Sequence, residues 1–367
     1  MDFTIMIKPA SGLCNLRCRY CFYRDEAENR ETASYGMMTD EVRAQVLSRA
    51  FEALPKGRNR LTLVFQGGEP MLAGRVFFEG LEADIQRLRP AGTIVDRCIQ
   101  TNGTLIDDDW AAFFAKYDYL IGVSLDGPAA IQNDLRPDAA GKGSFSRVTA
   151  GIQALKKRGV NVNILTVVTA EVARHGRKVY SFLRKNGWER LQFIPCMDFL
   201  DGKTRDFSLT AELYGRFLAD TFDLYEEEKL RGGRVSVRWF DNLIAMAAGG
   251  MPESCGMTGV CACQFVVEAD GSGYPCDFYV DDARRLGNLA ETGFREMFES
   301  ETARKFIAES RFVPERCEKC RWRALCRNGC RRYRDESGLN RLCGAYEYFF
   351  ERCGARILRL AQYYRQG

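Results

Sequence analysis

The sequence Cys14-Asn-Leu-Arg-Cys18-Arg-Tyr20-Cys21 spaces three cysteines as C-x3-C-x2-C, shortly after an apolar run at residues 4–7. A four-iron cluster normally takes four cysteines, so a compact loop that supplies three leaves one iron open for another ligand. Two alternatives are chance clustering and a zinc knuckle without its fourth ligand. Zinc ribbons, however, favour C-x2-C pairs with a second pair downstream. The spacing therefore favours an iron-sulfur cluster with one open iron.

Length and composition favour a large protein without a membrane segment. The 367 residues are 46% hydrophobic, which is enough for one large domain and a smaller one. The formal net charge of +4 does not by itself indicate nucleic-acid binding. No apolar run approaches the ~18 residues of a membrane span, and Asp2 stands where a signal peptide would be basic. We therefore expect a cytoplasmic protein with no membrane partner.

The fifteen cysteines are unevenly distributed. Three lie between residues 14 and 21, Cys98 and Cys196 stand alone, and the other ten lie between residues 255 and 353. Cytosolic thiols are kept reduced, so the cysteines are better explained as metal ligands than as a disulfide framework. The distribution predicts a metal-rich C-terminal module.

Short β-type runs alternate with amphipathic segments from the start to about residue 230. The β-type runs are residues 4–7, 61–65, 95–99, 120–123, 162–168 and 191–194. The amphipathic segments are residues 41–54, 77–88, 110–117, 148–158 and 172–186. Six β-then-α units predict a parallel sheet with helices outside, either an open doubly wound sheet or a partial barrel.

Polar residues follow the predicted strands, at the edge where parallel α/β folds bind their ligands. They are Gln66-Gly67-Gly68-Glu69-Pro70, Gln100-Thr101-Asn102-Gly103, Ser124-Leu125-Asp126-Gly127-Pro128 and Cys196-Met197-Asp198. Each segment alone is also typical of an ordinary turn. Together with the cysteine loop, they predict a binding rim.

A domain boundary is predicted after a helix over residues 209–231, which Gly232 and Gly233 end. We expect one domain at residues 1–233 and a second at residues 234–367. The alternating polarity of residues 234–241 predicts a strand at the start of the second domain.

The C-terminal module contains two runs of spaced cysteines. They are Cys255-x5-Cys261-x14-Cys276 and Cys317-x2-Cys320-x5-Cys326-x3-Cys330-x12-Cys343. Eight thiolates fit two further clusters or two zincs, and spacing alone does not choose between them. Cys98, Cys196, Cys263 and Cys353 remain unassigned.

Two other features of this module have competing explanations. Arg321, Arg323, Arg327, Arg331, Arg332 and Arg334 form a basic run. Compensation of anionic clusters or a solvated helix face explains the run more simply than RNA binding, because no RNA-binding fold accompanies it. Asp277, beside Cys276 and between aromatics, is either a solvated turn residue or a buried base.

With an aromatic residue before its third cysteine, the loop at residues 14–21 resembles the signature of radical S-adenosylmethionine (radical SAM) enzymes. In that family the open iron chelates S-adenosyl-L-methionine (AdoMet), and the reduced cluster cleaves it to a 5′-deoxyadenosyl radical. The family fold is a partial (β/α)6 TIM-type barrel, so the resemblance favours that α/β fold over the doubly wound sheet.

The resemblance also implies which residues bind AdoMet. Residues 66–70 are similar to the family's Gly-Gly-Glu motif, which holds the methionine amino group. By the same resemblance Ser124 contacts the ribose and Arg136 the carboxylate, while other residues flank the adenine. The implied cofactor-binding residues are Tyr20, Gln66, Gly67, Gly68, Glu69, Ser124, Arg136 and Met197.

The cysteine-rich module resembles the SPASM domain, a small iron-sulfur domain that follows the barrel in radical SAM enzymes acting on peptides and proteins. The resemblance implies three [4Fe–4S] clusters, one of them the radical SAM cluster at Cys14, Cys18 and Cys21. The first auxiliary cluster would take Cys255, Cys261, Cys276 and Cys330. The second would take Cys317, Cys320, Cys326 and Cys343.

Residues 7–11, 66–70, 100–107, 234–241 and 265–271 resemble anaerobic sulfatase-maturating enzymes. Those oxidoreductases convert a cysteine or serine in a sulfatase Cys/Ser-x-Pro-x-Arg motif to formylglycine (3-oxoalanine), a post-translational modification. The resemblance implies that Asp277 accepts a proton. It also implies an unfolded or nascent sulfatase polypeptide as substrate and a flavodoxin- or ferredoxin-like reductant, with no nucleic acid.

Three other functions compete with this one. The first is a SPASM maturase that forms a thioether link or an epimer in a ribosomal peptide. A leader-binding winged helix before the barrel would favour this function, but we do not expect one because the cluster loop begins at Cys14. An electron carrier would have fully ligated clusters, and a zinc scaffold would be colourless. Gln132 stands where related sequences often carry histidine, but the expected mechanism does not require one.

Overall fold

The computed structural model describes residues 1–366, with side chains to residue 363. Ten strands form within these residues. The strands β1 to β4 pair in parallel in chain order, and β5 pairs in parallel with β6. The strands are β1 (Asp2–Ile7), β2 (Asn59–Phe65), β3 (Thr93–Thr101), β4 (Tyr119–Ser124), β5 (Asn161–Val168), β6 (Arg190–Pro195), β7 (Ser236–Val237), β8 (Val266–Val267), β9 (Ser272–Tyr274) and β10 (Gly287–Asn288).

Fifteen α-helices lie within the described residues. They are α1 (Phe22–Glu28), α2 (Asp40–Glu52), α3 (Gly74–Leu88), α4 (Asp108–Lys116), α5 (Ala129–Leu135), α6 (Phe145–Lys157), α7 (Ala170–Arg174), α8 (Gly176–Lys185), α9 (Ala211–Leu230), α10 (Arg238–Ala247), α11 (Phe294–Glu299), α12 (Glu301–Ser310), α13 (Glu315–Glu318), α14 (Arg323–Cys326) and α15 (Cys343–Gln366). All six predicted strands of the first 230 residues are confirmed within about two residues at each end, which is the usual spread of element boundaries.

The chain divides into two compact units that interleave in sequence. The first comprises Met1–Ser124, Arg136–Val162 and Cys263–Phe306. Its strand order is β10-β9-β8-β1-β2-β3-β4, with β8 to β4 parallel and the β8–β9 and β9–β10 pairs antiparallel. Ile7, Phe65 and Ile99 lie in register on adjacent strands. The loops that follow β1, β2 and β3 therefore begin along one edge.

The second unit comprises Leu125–Leu135, Asn163–Ala262 and Ile307–Gly367. It contains the parallel strands β5, β6 and β7. Helix α9 begins where the Thr210 hydroxyl accepts from the N–H of Leu213, a favourable N-cap. Aromatic rings hold α9, α10 and α15 together, with the Phe240 ring 5.1 Å from that of Phe222 and 5.9 Å from that of Phe349.

The two units do not follow the predicted division at residues 233/234. The difference has a local cause: Met6 and Ile7 of β1 pair in parallel with Val266 and Val267, so a C-terminal segment joins the first unit. As a division between family domains, the boundary remains a prediction.

The predicted strand over residues 234–241 is wrong beyond Val237, where α10 begins. Phe240, Leu243 and Ile244 are spaced as one helix face and are buried, so helical periodicity prevails over the short polar alternation. The predicted helix over residues 172–186 is two helices. They are separated by His175, whose backbone dihedral angles are not helical.

Candidate active site

The three-cysteine loop lies between β1 and α1, at the carboxyl end of β1. Its first thiol, Cys14, accepts a hydrogen bond from the N–H of Leu16 at 3.4 Å and a longer one from Nδ2 of Asn102 at 3.8 Å. The pKa of Cys14 is raised to about 11, mainly by burial and in part by the nearby Glu69 and Cys21, although the two hydrogen bonds lower it. Cys14 thus lies near Cys21 on this loop, and the binding of a cluster with one open iron by Cys14, Cys18 and Cys21 remains a prediction.

Two glycines let the loop that follows β2 pack against the cysteine loop. The φ angle of Gly68 is +52°, and a Cβ there would lie 2.2 Å from the carbonyl oxygen of Leu13. At Gly67, with φ of +95°, a Cβ would lie 2.6 Å from Cγ of Lys8. The N–H of Glu69 donates to the carbonyl of Leu13 at 2.8 Å. Only glycine fits both positions, and the bare backbone leaves room for a ligand to approach.

The buried carboxylate of Glu69 joins the loops after β2 and β3. Its Oε1 accepts from the N–H of Met71 at 3.1 Å and from the Thr101 hydroxyl at 2.7 Å, and its Oε2 accepts from the N–H of Asn102 at 2.7 Å. Burial raises the pKa of Glu69 to about 7, although the three donors lower it. The side chain therefore fixes the two loops, and its contact with the AdoMet amino group remains a prediction.

The structure brings some of the other predicted AdoMet residues together. The guanidinium of Arg136 lies 5.3 Å from the ring centroid of Tyr20, and both residues are buried. Ser124, at the end of β4, accepts a hydrogen bond from Nε2 of Gln100 at 3.1 Å. Met197 belongs to the second unit, where it is buried after β6. Its predicted place beside the adenine remains a prediction.

Asp277 lies after β9 in the first unit, and its side chain is buried. Its Oδ2 accepts hydrogen bonds from the Tyr23 hydroxyl at 2.5 Å and from Nε2 of Gln66 at 2.9 Å. Its Oδ1 has no hydrogen-bond partner among the described residues, and Nζ of Lys8 is 3.6 Å away. Because Gln66 directly precedes Gly67, the carboxylate lies beside the candidate AdoMet loop.

Burial and charge act in opposite directions on this carboxylate. Burial raises the pKa of Asp277, whereas the charge of Lys8 and the hydrogen bond from Tyr23 lower it, and the net change is upward. Burial lowers the pKa of Lys8, but the carboxylates of Asp277 and Glu268 raise it, and again the net change is upward. Lys8 is therefore a fixed positive charge that faces a carboxylate able to take up a proton.

Lys8 belongs to a buried charge cluster that consists of Lys8, Arg30, Glu268 and Asp277. Nζ of Lys8 lies 3.9 Å from Oε1 of Glu268, and Nη1 of Arg30 donates to the same oxygen at 2.7 Å. Nη2 of Arg30 donates to the hydroxyl of Ser11 at 3.3 Å. Two cations thus balance two anions within the cluster, as buried charges require.

Three of the four thiols predicted for the first auxiliary cluster gather in the second unit. The pKa of Cys330 is raised to about 11, mainly by burial and in part by the neighbouring thiols of Cys255 and Cys261. The fourth predicted ligand, Cys276, follows β9 in the first unit. The complete ligand set of this cluster therefore remains a prediction.

The four thiols predicted for the second auxiliary cluster line one cavity of about 610 Å³ in the second unit. The pKa of Cys326 is raised to about 12, mainly by burial and in part by the thiols of Cys343, Cys317 and Cys320. Four thiols around one space fit a fully cysteine-ligated four-iron cluster. No three His, Cys, Asp or Glu side chains among the described residues lie as close together as the ligands of a single metal ion.

Arginines act electrostatically on this second set of thiols. Burial and the thiol of Cys320 raise the pKa of Cys317. The positive charges of Arg334, Arg316 and Arg323 lower it. Two members of the predicted basic run, Arg323 and Arg334, therefore act on this thiol, and their compensation of an anionic cluster remains a prediction.

The sequence prediction missed four residues around Asp277: Lys8, Tyr23, Arg30 and Glu268. Lys8 directly follows β1, so the rule that selected the polar residues after other strands would have found it. Glu268 directly follows β8, a strand that the sequence does not predict, so the same rule could not have found it. Tyr23 and Arg30 gave no comparable signal. Gln132, the departure noted in the sequence, is buried and accepts a hydrogen bond from the N–H of Asp126 at 2.8 Å.

Comparisons with known proteins agree with this geometry. A family model described as the radical SAM superfamily matches residues 9–183, and one described as an iron-sulfur cluster-binding domain matches residues 255–321. The cysteine-type anaerobic sulfatase-maturating enzyme of Clostridium perfringens (strain 13 / Type A) is 44% identical over 367 residues, with 98% of each chain covered. This chain belongs to the anaerobic sulfatase-maturating enzyme family.

Other members of the family are also similar along most of their length. The serine-type anaerobic sulfatase-maturating enzyme of Klebsiella aerogenes is 33% identical and covers 95% of this chain and 85% of its own. A solved structure described as native anSMEcpe with bound AdoMet and Cp18Cys peptide is 42% identical, with a TM-score of 0.93 and 99% of each chain covered.

Membership of the family confirms the predicted fold class, a partial (β/α)6 barrel followed by a SPASM domain, and the predicted class of enzyme, a radical SAM oxidoreductase. The individual ligands, AdoMet contacts and proton acceptor remain predictions. Among the described residues, no helix combines the length and apolar character needed to traverse a bilayer.

Proposed function

We propose that this chain oxidises a cysteine or serine in a sulfatase Cys/Ser-x-Pro-x-Arg motif to formylglycine. The observation that supports this function most directly is the Asp277 carboxylate. Two donors hold its Oδ2, while its Oδ1 has no hydrogen-bond partner among the described residues and lies 3.6 Å from a buried ammonium. An ionised, buried carboxylate with one available oxygen suits removal of a proton from a substrate thiol or hydroxyl.

The cofactors in this proposal are AdoMet and three [4Fe–4S] clusters. Cys14, Cys18 and Cys21 would hold the radical SAM cluster, and Gly67 and Gly68 would present backbone to AdoMet. When bound, these groups supply the 5′-deoxyadenosyl radical that abstracts a hydrogen atom from the substrate Cβ. The two auxiliary sets of four cysteines described above would hold the remaining clusters.

The chain's own residues divide the remaining work. Asp277 takes the substrate thiol or hydroxyl proton at Oδ1. The positive charge of Lys8 favours the ionised form of Asp277, while Tyr23 and Gln66 hold Oδ2 and so orient the other oxygen. Loss of the substrate proton makes the carbon-centred radical easier to oxidise, and the second electron would pass to an auxiliary cluster held by the cysteine sets described above. For a cysteine substrate, water would then hydrolyse the resulting thioaldehyde to the aldehyde and release hydrogen sulfide.

Cysteine is the substrate residue that the relatives favour. Those named cysteine-type are 40% to 44% identical to this chain, whereas the serine-type relative of Klebsiella aerogenes is 33% identical. The proposal further includes an unfolded or nascent sulfatase as partner, a flavodoxin- or ferredoxin-like reductant, a cytoplasmic location and a domain boundary near residue 233.

An anaerobic assay tests this function. Reconstituted protein is incubated with AdoMet, titanium(III) citrate and a Cys-x-Pro-x-Arg peptide, and both peptide mass and 5′-deoxyadenosine are followed. We expect formylglycine and 5′-deoxyadenosine in equal amounts, and no formylglycine from an Ala-x-Pro-x-Arg peptide. Formation of 5′-deoxyadenosine with an unchanged cysteine peptide would show that the substrate belongs to another class of peptide. No AdoMet cleavage by protein with intact clusters would reject the function.

A further inference from the structure

Residues 311–334 are much more basic than the rest of the chain. They contain nine arginines and lysines against two glutamates, a net charge of +7. The whole chain has a formal net charge of +4, so the remaining residues are net acidic. A concentrated positive field on an otherwise acidic protein attracts acidic partners and orients their approach.

The basic side chains surround the cavity of the second auxiliary thiols. Six arginines line it, and we call them the arginine face: Arg311, Arg316, Arg321, Arg323, Arg327 and Arg334. Arg316 pairs with Glu347 at 2.7 Å, and Arg321 pairs with Glu351. Arg311 and Arg323 are exposed and form no ion pair within the described residues. Positive charge therefore remains available at the surface.

The same cavity also exposes apolar side chains. Phe312 is 61% exposed and Val260 is 40% exposed, and both line the cavity. Compensation of an anionic cluster explains arginines near the thiols, but it does not explain an exposed phenylalanine among them. Exposed apolar side chains beside charged ones are typical of protein–protein interfaces.

We propose that the arginine face is the docking site for an acidic one-electron carrier protein of the flavodoxin or ferredoxin type. This proposal rests on the proposed function, which needs such a carrier. Weak and short-lived redox complexes bury little surface, so such a site does not need to be large. Its position over the thiols of Cys317, Cys320 and Cys343 gives a carrier a reason to bind there. The basic Cys-x-Pro-x-Arg substrate does not suit a positively charged face.

Binding to the clustered holoenzyme tests the docking site without relying on turnover. The probe is an acidic flavodoxin with oxidised FMN, titrated anaerobically by isothermal calorimetry at 50 and 300 mM NaCl. We expect binding to weaken strongly at the higher salt, because exposed charges are screened there.

The test variant is Arg311→Glu/Arg323→Glu, and the matched control is Lys178→Glu/Lys185→Glu. The control makes the same charge change at exposed lysines of α8 that do not line the cavity and form no ion pair within the described residues. An exposed charge pair contributes a factor of about 1.4–5 in affinity, and reversal replaces attraction by repulsion. We therefore expect the test variant to bind flavodoxin roughly tenfold more weakly at 50 mM NaCl, and the control much less so.

Arg323 also acts on Cys317, so the visible spectrum and iron content of each variant are measured first. If the double variant lacks iron, Arg311→Glu alone replaces it, with Lys178→Glu as control. Formylglycine formation with titanium(III) citrate should be unchanged in cluster-loaded Arg311→Glu, since Arg311 has no described contact with the thiols. If the wild type forms no formylglycine, the proposed function is wrong. The flavodoxin titration does not depend on that result and tests the docking site alone.

Equal flavodoxin affinity of wild type and test variant would overturn the docking proposal, as would an equal loss in the control. A fluorescein-labelled single-stranded RNA is titrated in parallel. If RNA binds more tightly than flavodoxin and the test variant abolishes that binding, the arginine face is a nucleic-acid site and the carrier proposal is wrong.

Discussion

Replacing Lys8 by methionine preserves most of the side-chain volume and removes the positive charge 3.6 Å from Asp277. The side chains of Lys8 and Asp277 are 4% and 9% exposed, so water cannot replace the lost charge. Glu268 keeps its 2.7 Å ion pair with Arg30, so the negative charge left without a cation is that of Asp277. Removing one partner of a buried pair costs about 3–5 kcal/mol. Because both donors to Oδ2 remain, we expect the lower end of this range, a decrease of about 3 kcal/mol in the free energy of unfolding.

The sign of the pH dependence follows from the direction of the pKa shift. Burial already raises the pKa of Asp277 above its ordinary value of 3.8, and loss of Lys8 raises it further. A carboxyl with a higher pKa in the folded state binds more protons when folded, so its stability penalty is absent below pH 3.8. The penalty grows as the pH rises towards the folded-state pKa. Lys8→Met should therefore lose more stability at pH 8 than at pH 5.5.

The assay is thermal unfolding of the anaerobic holoenzyme, followed by circular dichroism at both pH values. At pH 8 we expect the midpoint of Lys8→Met to fall by roughly 5 °C. Lys142→Met, at an exposed lysine, should leave it nearly unchanged. In Lys8→Met/Asp277→Asn no buried carboxylate is left unpaired at this position, so that double variant should be more stable than Lys8→Met. A double variant no more stable than Lys8→Met, or a single variant with unchanged midpoints, would refute the electrostatic account.

Three further predictions concern the same unit. Asp277→Asn should still release 5′-deoxyadenosine but form little aldehyde, because it removes the proton acceptor and leaves the AdoMet loop intact; wild-type formylglycine yield by mass spectrometry would contradict this role. Gly68→Ala should weaken AdoMet binding roughly tenfold or more in equilibrium dialysis, because its Cβ would lie 2.2 Å from the Leu13 carbonyl. Gly74→Ala, which also has a positive φ (+78°) but open space around it, should cost about 1–3 kcal/mol of stability and leave AdoMet affinity unchanged. Tyr23→Phe removes a hydrogen bond that lowers the pKa of Asp277, so the acidic limb of the formylglycine pH profile should move to higher pH; an unmoved limb would show that this hydroxyl does not tune the acceptor.

The barrel strands were predictable because each combines an apolar run with a polar turn at its carboxyl end. That rule also selected Gln66 and Ser124 for the rim. The two-residue strand β8 was not predictable, since Val266 and Val267 carry no periodicity and gain their structure by pairing with β1. Short strands of this kind depend on a partner that is distant in sequence.

The candidate site was predictable only in part, for a related reason. Cysteine spacing identifies ligands because a cluster imposes its own geometry on a short loop. No such local constraint marks Tyr23 or Arg30, whose partners, Asp277 and Glu268, are more than 200 residues away in sequence. Long-range charge pairs leave no pattern in a single sequence, so the buried charge cluster became visible only in the folded chain.

The hydrogen bonds among the first loops have a consequence for how this enzyme could diversify. Glu69 joins two loops, and Nδ2 of Asn102 donates to Asn15 at 2.7 Å while Nδ2 of Asn15 donates to Thr104 at 2.9 Å. A substitution in any one of these loops is therefore transmitted to the others. Laboratory evolution towards new peptide substrates should accumulate its changes outside this braced region, and libraries that randomise these loops should yield mostly inactive protein.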